Sequence, residues 1–248
     1  MLERRKIKDN EIVLDAGCGT GRVTKIIANK VRKGKVYAVD ADGNMITNAK
    51  KNLKDYSNTV FIKSDLSDLE LPEKVDLIFS NAVVHWILDH KKLFTKFWEL
   101  LKQDGELLIQ CGGKGNLGST HVILEEIRKS KRFKKYFEYW KNPWNFATPK
   151  DIIKILNSVG FKDVQAFLTK STANFENCQE YILFMKTVVM KPYLQYLPDN
   201  NSNQGETKNS FVGTFLEKLK EQSIKKKTNA DLLKIDYVRL NITGRKMT

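Results

Sequence analysis

Cysteine is scarce in this chain of 248 residues: there are three, Cys18, Cys111 and Cys178, at unrelated positions. Their odd number and wide spacing match neither a disulfide framework nor a metal-ligand pattern. They read as reduced thiols of a cytoplasmic protein, with no metal site. No run approaches the ~18 apolar residues that a membrane span needs. Met1 to Asp9 carry charges where a signal peptide would hold an apolar core. Acidic residues are also few, 29 against 43 lysines and arginines, for a net charge of +14. That surplus admits an anionic partner (a carboxylate substrate, a carrier protein, nucleic acid or a membrane surface) or simply a lysine-rich surface, and charge alone does not choose.

What is present suffices for a core. Hydrophobic residues make up 41% of the chain, which excludes global disorder. The length fits one large α/β domain, or a domain with a sizeable insertion. In the first half, short apolar runs alternate with helical spacing. Glu11 to Ala16, Lys35 to Val39, Val60 to Lys63, Val75 to Ser80 and Glu106 to Cys111 read as strands. Thr20 to Val31, with Val23, Ile26, Ile27 and Val31 on one face, Met45 to Leu53 and Leu93 to Leu101 read as helices. Strands separated by helices predict a parallel, doubly wound sheet. In the second half, Ser119 to Lys141, Pro149 to Val159, Asn177 to Lys191 and Phe211 to Lys227 look helical. Phe161 to Thr169 and Leu233 to Gly244 alternate as strands, and Pro198 to Ser210 reads as a loop.

A glycine-rich turn, Gly17-Cys18-Gly19-Thr20-Gly21, joins the first strand to its helix, where such sheets hold ligands. Arg22 breaks the G-x-G-x-x-G/A dinucleotide pattern, and the phosphate-loop pattern is absent. Asp15 just before the turn is poor company for a pyrophosphate and good company for a cation. Asp40 ends the second strand about twenty residues after the last glycine, where an acid can accept both hydroxyls of a ribose. Taken singly, Asp15 also reads as a helix N-terminal charge and Asp40 as a strand-end turn residue. Cys18 reads as a small filler of the loop.

The segment Val13-Leu14-Asp15-Ala16-Gly17-Cys18-Gly19-Thr20-Gly21 resembles motif I of class I S-adenosylmethionine-dependent methyltransferases. Asp40 matches the ribose-binding acid of that family, followed by Ala41. Ser64-Asp65-Leu66 matches the segment where an acid meets the adenine amino group. Asp76 to Ala82, including Asn81, matches motif IV, and Leu100 to Leu107 matches its L-K-P-G-G-x-L turn with Gln103 and Asp104 as departures. The five agree in order and spacing over about residues 11 to 111. The resemblance implies S-adenosyl-L-methionine as cofactor, held by Asp15, Gly17, Cys18, Gly19, Gly21, Asp40, Ala41, Met45, Ser64, Asp65, Leu66 and Asn81. Met45 also reads as a helix core residue. The implied fold is a seven-stranded, mostly parallel Rossmann-like sheet with a helical cap. Residues 1–111 would form the cofactor-binding core, 112–147 and 170–232 the cap, and 148–169 and 233–248 the rest of the core sheet. Family members carry a helix before the first strand that helps close the cofactor site. Only about ten residues precede Glu11. The expectation is that this lid is missing, that the start lies upstream, or that another segment covers the site.

Ser80-Asn81-Ala82-Val83 has none of the proline or aromatic residues with which base-amino methyltransferases grip a flat amino group. The segment from Asn81 to His90 is instead similar to the Asn-Ala-x-x-Gln/His-Trp-x-x-Asp-His stretch of the group that includes trans-aconitate methyltransferases, malonyl-carrier-protein methyl ester synthases and juvenile hormone acid methyltransferases. Pro143 to Phe146, Leu156 to Phe161 and Lys191 to Pro198 look like that group's second half. The resemblance implies O-methylation of a carboxylate on a small anionic molecule or a carrier-bound acyl chain. His85 would donate a hydrogen bond and Trp86 would wall the site. His85 also reads as a packed helix-start residue, Trp86 as core and His90 as a solvated turn residue. Trp140, Trp144 and Tyr181 are candidate substrate contacts of the cap. Two alternatives stay open. Lys129 to Lys141 interleaves cations and aromatics as nucleic-acid binders do, although an amphipathic cap helix looks the same. The other is a non-catalytic cofactor-binding partner subunit.

Overall fold

A computed structural model of the chain describes residues 2–199, 206–225 and 233–247. By density of internal contacts it divides into two units. The first comprises Met1–Lys114, Trp144–Thr169 and Arg239–Thr248, and the second Gly115–Pro143 and Lys170–Val238.

The first half follows the alternation: β1 (Ile12–Ala16), α1 (Arg22–Lys30), β2 (Lys35–Asp40), α2 (Gly43–Asn52), β3 (Thr59–Lys63), β4 (Val75–Asn81), α3 (His90–Leu100) and β5 (Leu101–Gly112). Then come α4 (Gly118–Lys129), α5 (Pro149–Val159), β6 (Lys162–Asn174), α6 (Cys178–Phe184), α7 (Lys191–Leu194), α8 (Lys208–Lys225) and β7 (Lys234–Arg245). The strands make a seven-stranded sheet in the order β3-β2-β1-β4-β5-β7-β6. The β1 strand runs parallel to β2 and β4, and β5 parallel to β4, while β7 returns antiparallel beside β5.

Side chains alternate across each strand, and both faces are covered. Val13, Val36, Leu77, Phe79 and Leu108 pack with Ile27, Ala28 and Val31 on one face. Leu14, Ile78, Leu107, Ile109, Leu240 and Ile242 pack with Phe94, Phe97, Ile152 and Leu156 on the other. Ile26 departs from the expected apolar face of α1. It is 48% exposed, and Thr24 takes the inward place. Short side chains set the helix starts: Asp42 Oδ1 accepts from Asn44 N–H, and Asp89 Oδ1 from Lys92 N–H. In α5, Thr148 and Asp151 form a capping box ahead of Pro149, and Gly160 at φ 118° ends the helix.

In the second unit, α4 ends at Lys129 and a single 3-10 turn, Lys134–Phe137, follows. The expected continuous helix to Lys141 is broken at Ser130, whose Oγ bonds back to the Ile127 carbonyl. The stretch read as one helix from Asn177 to Lys191 is α6 followed by a π turn, Met185–Val189, and then α7. Phe133 and Phe137 are buried against Phe211. The middle of the expected loop Pro198 to Ser210, residues 200–205, lies outside the described residues, as do residues 226–227 at the end of the expected last helix.

Candidate active site

The chain order reverses at β1, which has β2 on one side and β4 on the other. A crevice opens outside the carboxyl ends of strands at such a point, and the residues at those ends define the site. After β1, the turn begins with Gly17 at φ 88°, whose N–H donates to the Val39 carbonyl at 2.8 Å. Cys18 N–H donates to the same oxygen at 2.9 Å. A Cβ on Gly17 would lie 2.1 Å from Val83 Cγ2, so only glycine fits. A Cβ on Gly19 would meet nothing within 4 Å, which leaves this backbone open to approach by a ligand.

Two acids flank the turn. Asp40 ends β2, and its Oδ2 accepts from Gly19 N–H at 2.9 Å and its Oδ1 from Asp42 N–H at 2.9 Å. The β2 end thereby holds the loop in place. Asp15 is 2% exposed and accepts a hydrogen bond from Thr24 Oγ1 at 2.6 Å. Burial, with the Asp40 charge adding to it, lifts the Asp15 carboxyl to about 6. Burial first, then the charges of Asp15 and Asp40, raise the Cys18 thiol to about 12, so it stays protonated and is no nucleophile.

Ser64 is drawn to the same place, its N–H donating to the Asp40 carbonyl at 3.2 Å. Ala41 is exposed beside Asp40, and Met45 is half-buried in the first turn of α2. Asp65 is exposed, with Oδ1 accepting from Ser67 N–H at 2.7 Å. Leu66, by contrast, is 5% exposed and packs in the main core cluster.

At the end of β4, Asn81 leads into Ala82 at φ 62°, a left-handed conformation rare for a residue with a Cβ. Ala82 N–H donates to the Gln110 carbonyl at 2.7 Å. His85 follows at 9% exposure, its Nδ1 accepting from Gly112 N–H at 3.2 Å. An accepting Nδ1 places the proton of the neutral ring on Nε2. Asn145 pins this segment twice, N–H to the His85 carbonyl at 2.8 Å and Nδ2 to the Leu88 carbonyl at 2.8 Å. His85, Trp86, Trp144 and Phe146 form an aromatic group in which His85 stacks on Phe146 at 5.6 Å and Trp86 lies 5.7 Å from Trp144. Trp86 is 39% exposed and Trp144 8%. His90 is not a solvated turn residue. It is 3% exposed, Nε2 lies 3.1 Å from the Val84 carbonyl, and burial lowers its pKa.

The structure therefore sets Asp15, the glycine turn, Asp40, Ala41 and Ser64 around the ends of β1 and β2, and Asn81, His85, Trp86 and Trp144 around the turn that follows β4. Trp140 and Tyr181 belong to the second unit. Trp140 stacks on Tyr193 at 4.5 Å with Arg128 over its ring, and Tyr181 is 1% exposed against Phe175. Asn145 and Phe146 lie in the Pro143 to Phe146 segment that carries the resemblance, whereas nothing in the chain points to a role for Thr24, Gln110 or Arg239. The alternation of the last strand does put Arg239 and Asn241 on one face, the only trace of them in the chain itself. Among the described residues no group of His, Cys, Asp or Glu is arranged to hold a metal ion, and no helix is long and apolar enough to cross a membrane.

Residues 7–182 match the model of a family described as "Methyltransferase domain". The chain is similar to trans-aconitate 2-methyltransferase of Rhizobium etli, 34% identical over 126 residues, which cover 50% of this chain and 47% of that one, about half the relative's length. It is 28% identical to malonyl-[acyl-carrier protein] O-methyltransferase of Acetivibrio thermocellus over 234 residues, 94% of this chain and 79% of that one. Among solved structures, a phosphoethanolamine N-methyltransferase 2 of Haemonchus contortus in complex with S-adenosyl-L-methionine shares the fold. The TM-score is 0.56 at 20% identity, covering 100% of this chain and 51% of that one.

Proposed function

The chain belongs to the methyltransferase-domain family, and we propose that it transfers the methyl group of S-adenosylmethionine to a carboxylate oxygen of a small anionic molecule or a carrier-bound acyl chain. The donor fits what the residues offer. The open backbone at Gly19 lets a ligand lie against the turn, and the two acids suit a ligand that is cationic and carries a ribose. Asp40 oxygens each take one backbone N–H and keep lone pairs for hydroxyl donors. Bound there, the donor supplies an electrophilic methyl group on a positively charged sulfur.

The acceptor reading is carried by the turn after β4. It presents His85, with its proton directed to Nε2, beside Trp86 and Trp144, and it has no proline-aromatic clamp for a base amino group. A carboxylate is nucleophilic as it stands, so the site needs to orient it rather than deprotonate it. In this reading His85 donates to an acceptor oxygen, and the aromatic group excludes water from it. The names of the relatives, trans-aconitate and malonyl-carrier protein, are both of carboxylates and support this choice. The nucleic-acid reading has less behind it: Phe133 and Phe137 of the basic segment are buried, so they are spent on packing rather than on bases.

The test is incubation with methyl-tritiated S-adenosylmethionine and, separately, di- and tricarboxylates, a malonyl thioester and total RNA. Label released as methanol by mild alkali identifies a carboxyl ester and supports the reading. Base-stable label on RNA, or donor binding without transfer to any pool, overturns it.

A further inference from the structure

Asn81, Gln110 and Asn241 lie side by side on three neighbouring strands. Asn81 faces Gln110 in the register of β4 and β5, and Gln110 faces Asn241 in that of β5 and β7. Cross-strand partners share a face. This row lies opposite the apolar face of Ile109, Leu240 and Ile242, close to the carboxyl ends of β4 and β5. Its members orient one another. Asn241 is 2% exposed, and its Nδ2 donates to Thr169 Oγ1 at 3.0 Å. Its Oδ1 accepts from Gln110 Nε2 at 2.7 Å, and Gln110 Oε1 accepts from an Arg239 guanidinium N–H at 3.2 Å. The row ends on a half-buried cation. Arg239 faces Gly112, the residue whose N–H fixes the His85 ring. The guanidinium and the proposed donor of the acceptor hydrogen bond are thus tied to the same backbone position.

The Gln110 amide oxygen holds one edge of the Arg239 guanidinium in place. An arginine keeps its charge at any ordinary pH, and its planar fork matches a carboxylate through two parallel hydrogen bonds. We propose that Arg239 anchors a carboxylate of the methyl acceptor, with Gln110 and Asn241 as positioning residues that hold its fork. The proposal rests on the carboxylate reading above and gives that reading a binding group.

The test avoids turnover. Protein saturated with S-adenosylhomocysteine is titrated calorimetrically with tricarballylate and with malonyl-pantetheine, as wild type, Arg239→Gln and Arg239→Lys. At least tenfold weaker binding of the probe by Arg239→Gln, with an intermediate loss in Arg239→Lys and unchanged S-adenosylhomocysteine affinity, supports the anchor. A purely structural arginine would weaken both ligands together or neither. If Arg239→Gln melts early, Arg239→Lys carries the test, because it keeps the charge and loses the fork: a threefold or greater loss confined to the probe supports the proposal. Wild-type probe affinity in both variants overturns the anchor and leaves the carboxylate reading standing. A wild-type protein that binds neither probe overturns the carboxylate reading and the anchor with it.

Discussion

Two turns leave the same edge of the sheet, one after β1 and one after β4, and they touch. Each needs a residue with positive φ. After β1 it is Gly17, where the missing Cβ makes room for Val83. After β4 it is Ala82, which takes the same region with its Cβ in place, at a cost of about 1–2 kcal/mol. The first turn is dictated by space. The second tolerates strain because Ala82 N–H reaches the Gln110 carbonyl and aims the chain toward His85. One turn reads as a ligand cradle and the other as a lever that sets His85, the proposed donor to the acceptor oxygen.

If that division is right, changes in the first turn disturb folding and donor binding, and changes in the second disturb turnover. The largest effect is expected from Gly17→Ala. Strained backbone plus overpacking against Val83 gives about 2–5 kcal/mol, or a melting temperature roughly 5–15 °C lower. Val83→Ala in the same chain should restore part of it. Additive losses in that double-mutant cycle would mean the turns are not coupled. Next comes Asp15. Its carboxyl is raised to about 6, so ionisation opposes folding. That penalty is absent below about pH 4, grows as pH rises through 6 and is complete above, on the order of 3 kcal/mol. Asp15→Asn keeps an acceptor for Thr24, so in urea melts wild type should lose stability relative to the variant as pH rises from 4 to 7, the buried histidines His90 and His121 contributing equally to both. Asp40→Ala removes a charged hydrogen-bond acceptor, and calorimetry should show S-adenosylmethionine binding about 10–100-fold weaker. His85→Gln should reduce turnover by about tenfold with donor affinity unchanged; loss of donor affinity instead would break the division between the turns. The smallest effect is a gain: Ala82→Gly should relieve about 1 kcal/mol of strain and raise the melting temperature by roughly 2–4 °C.

Much of the first turn is visible in the chain because its requirements are local. Glycines announce the positive φ, an apolar run leads into them, and the acid that ties the loop ends the next strand. The second turn is barely visible. Nothing around Ala82 signals a left-handed residue, since the reason lies in a carbonyl on β5. His90 looks like a turn residue beside Asp89, and its burial depends on the Val84 carbonyl and Phe94. The basic aromatic stretch has helical spacing, yet Ser130 bonds back to Ile127 and ends the helix early. The row ending in Arg239 joins residues from three strands that are far apart in sequence, so it exists only once β7 is paired with β5.

The unequal burial of the three cysteines has a practical consequence. Cys18 and Cys111 are buried with thiols raised to about 12, whereas Cys178, the first residue of α6, is exposed. At neutral pH the two buried thiols offer on the order of one thiolate in 100,000 molecules, so a maleimide dye should enter the native protein at Cys178 alone. The unmodified sequence thus carries a ready labelling point in the second unit, whose melting can be followed by dye fluorescence; in a Trp140→Phe chain the remaining tryptophans, Trp86, Trp98 and Trp144, would report the first.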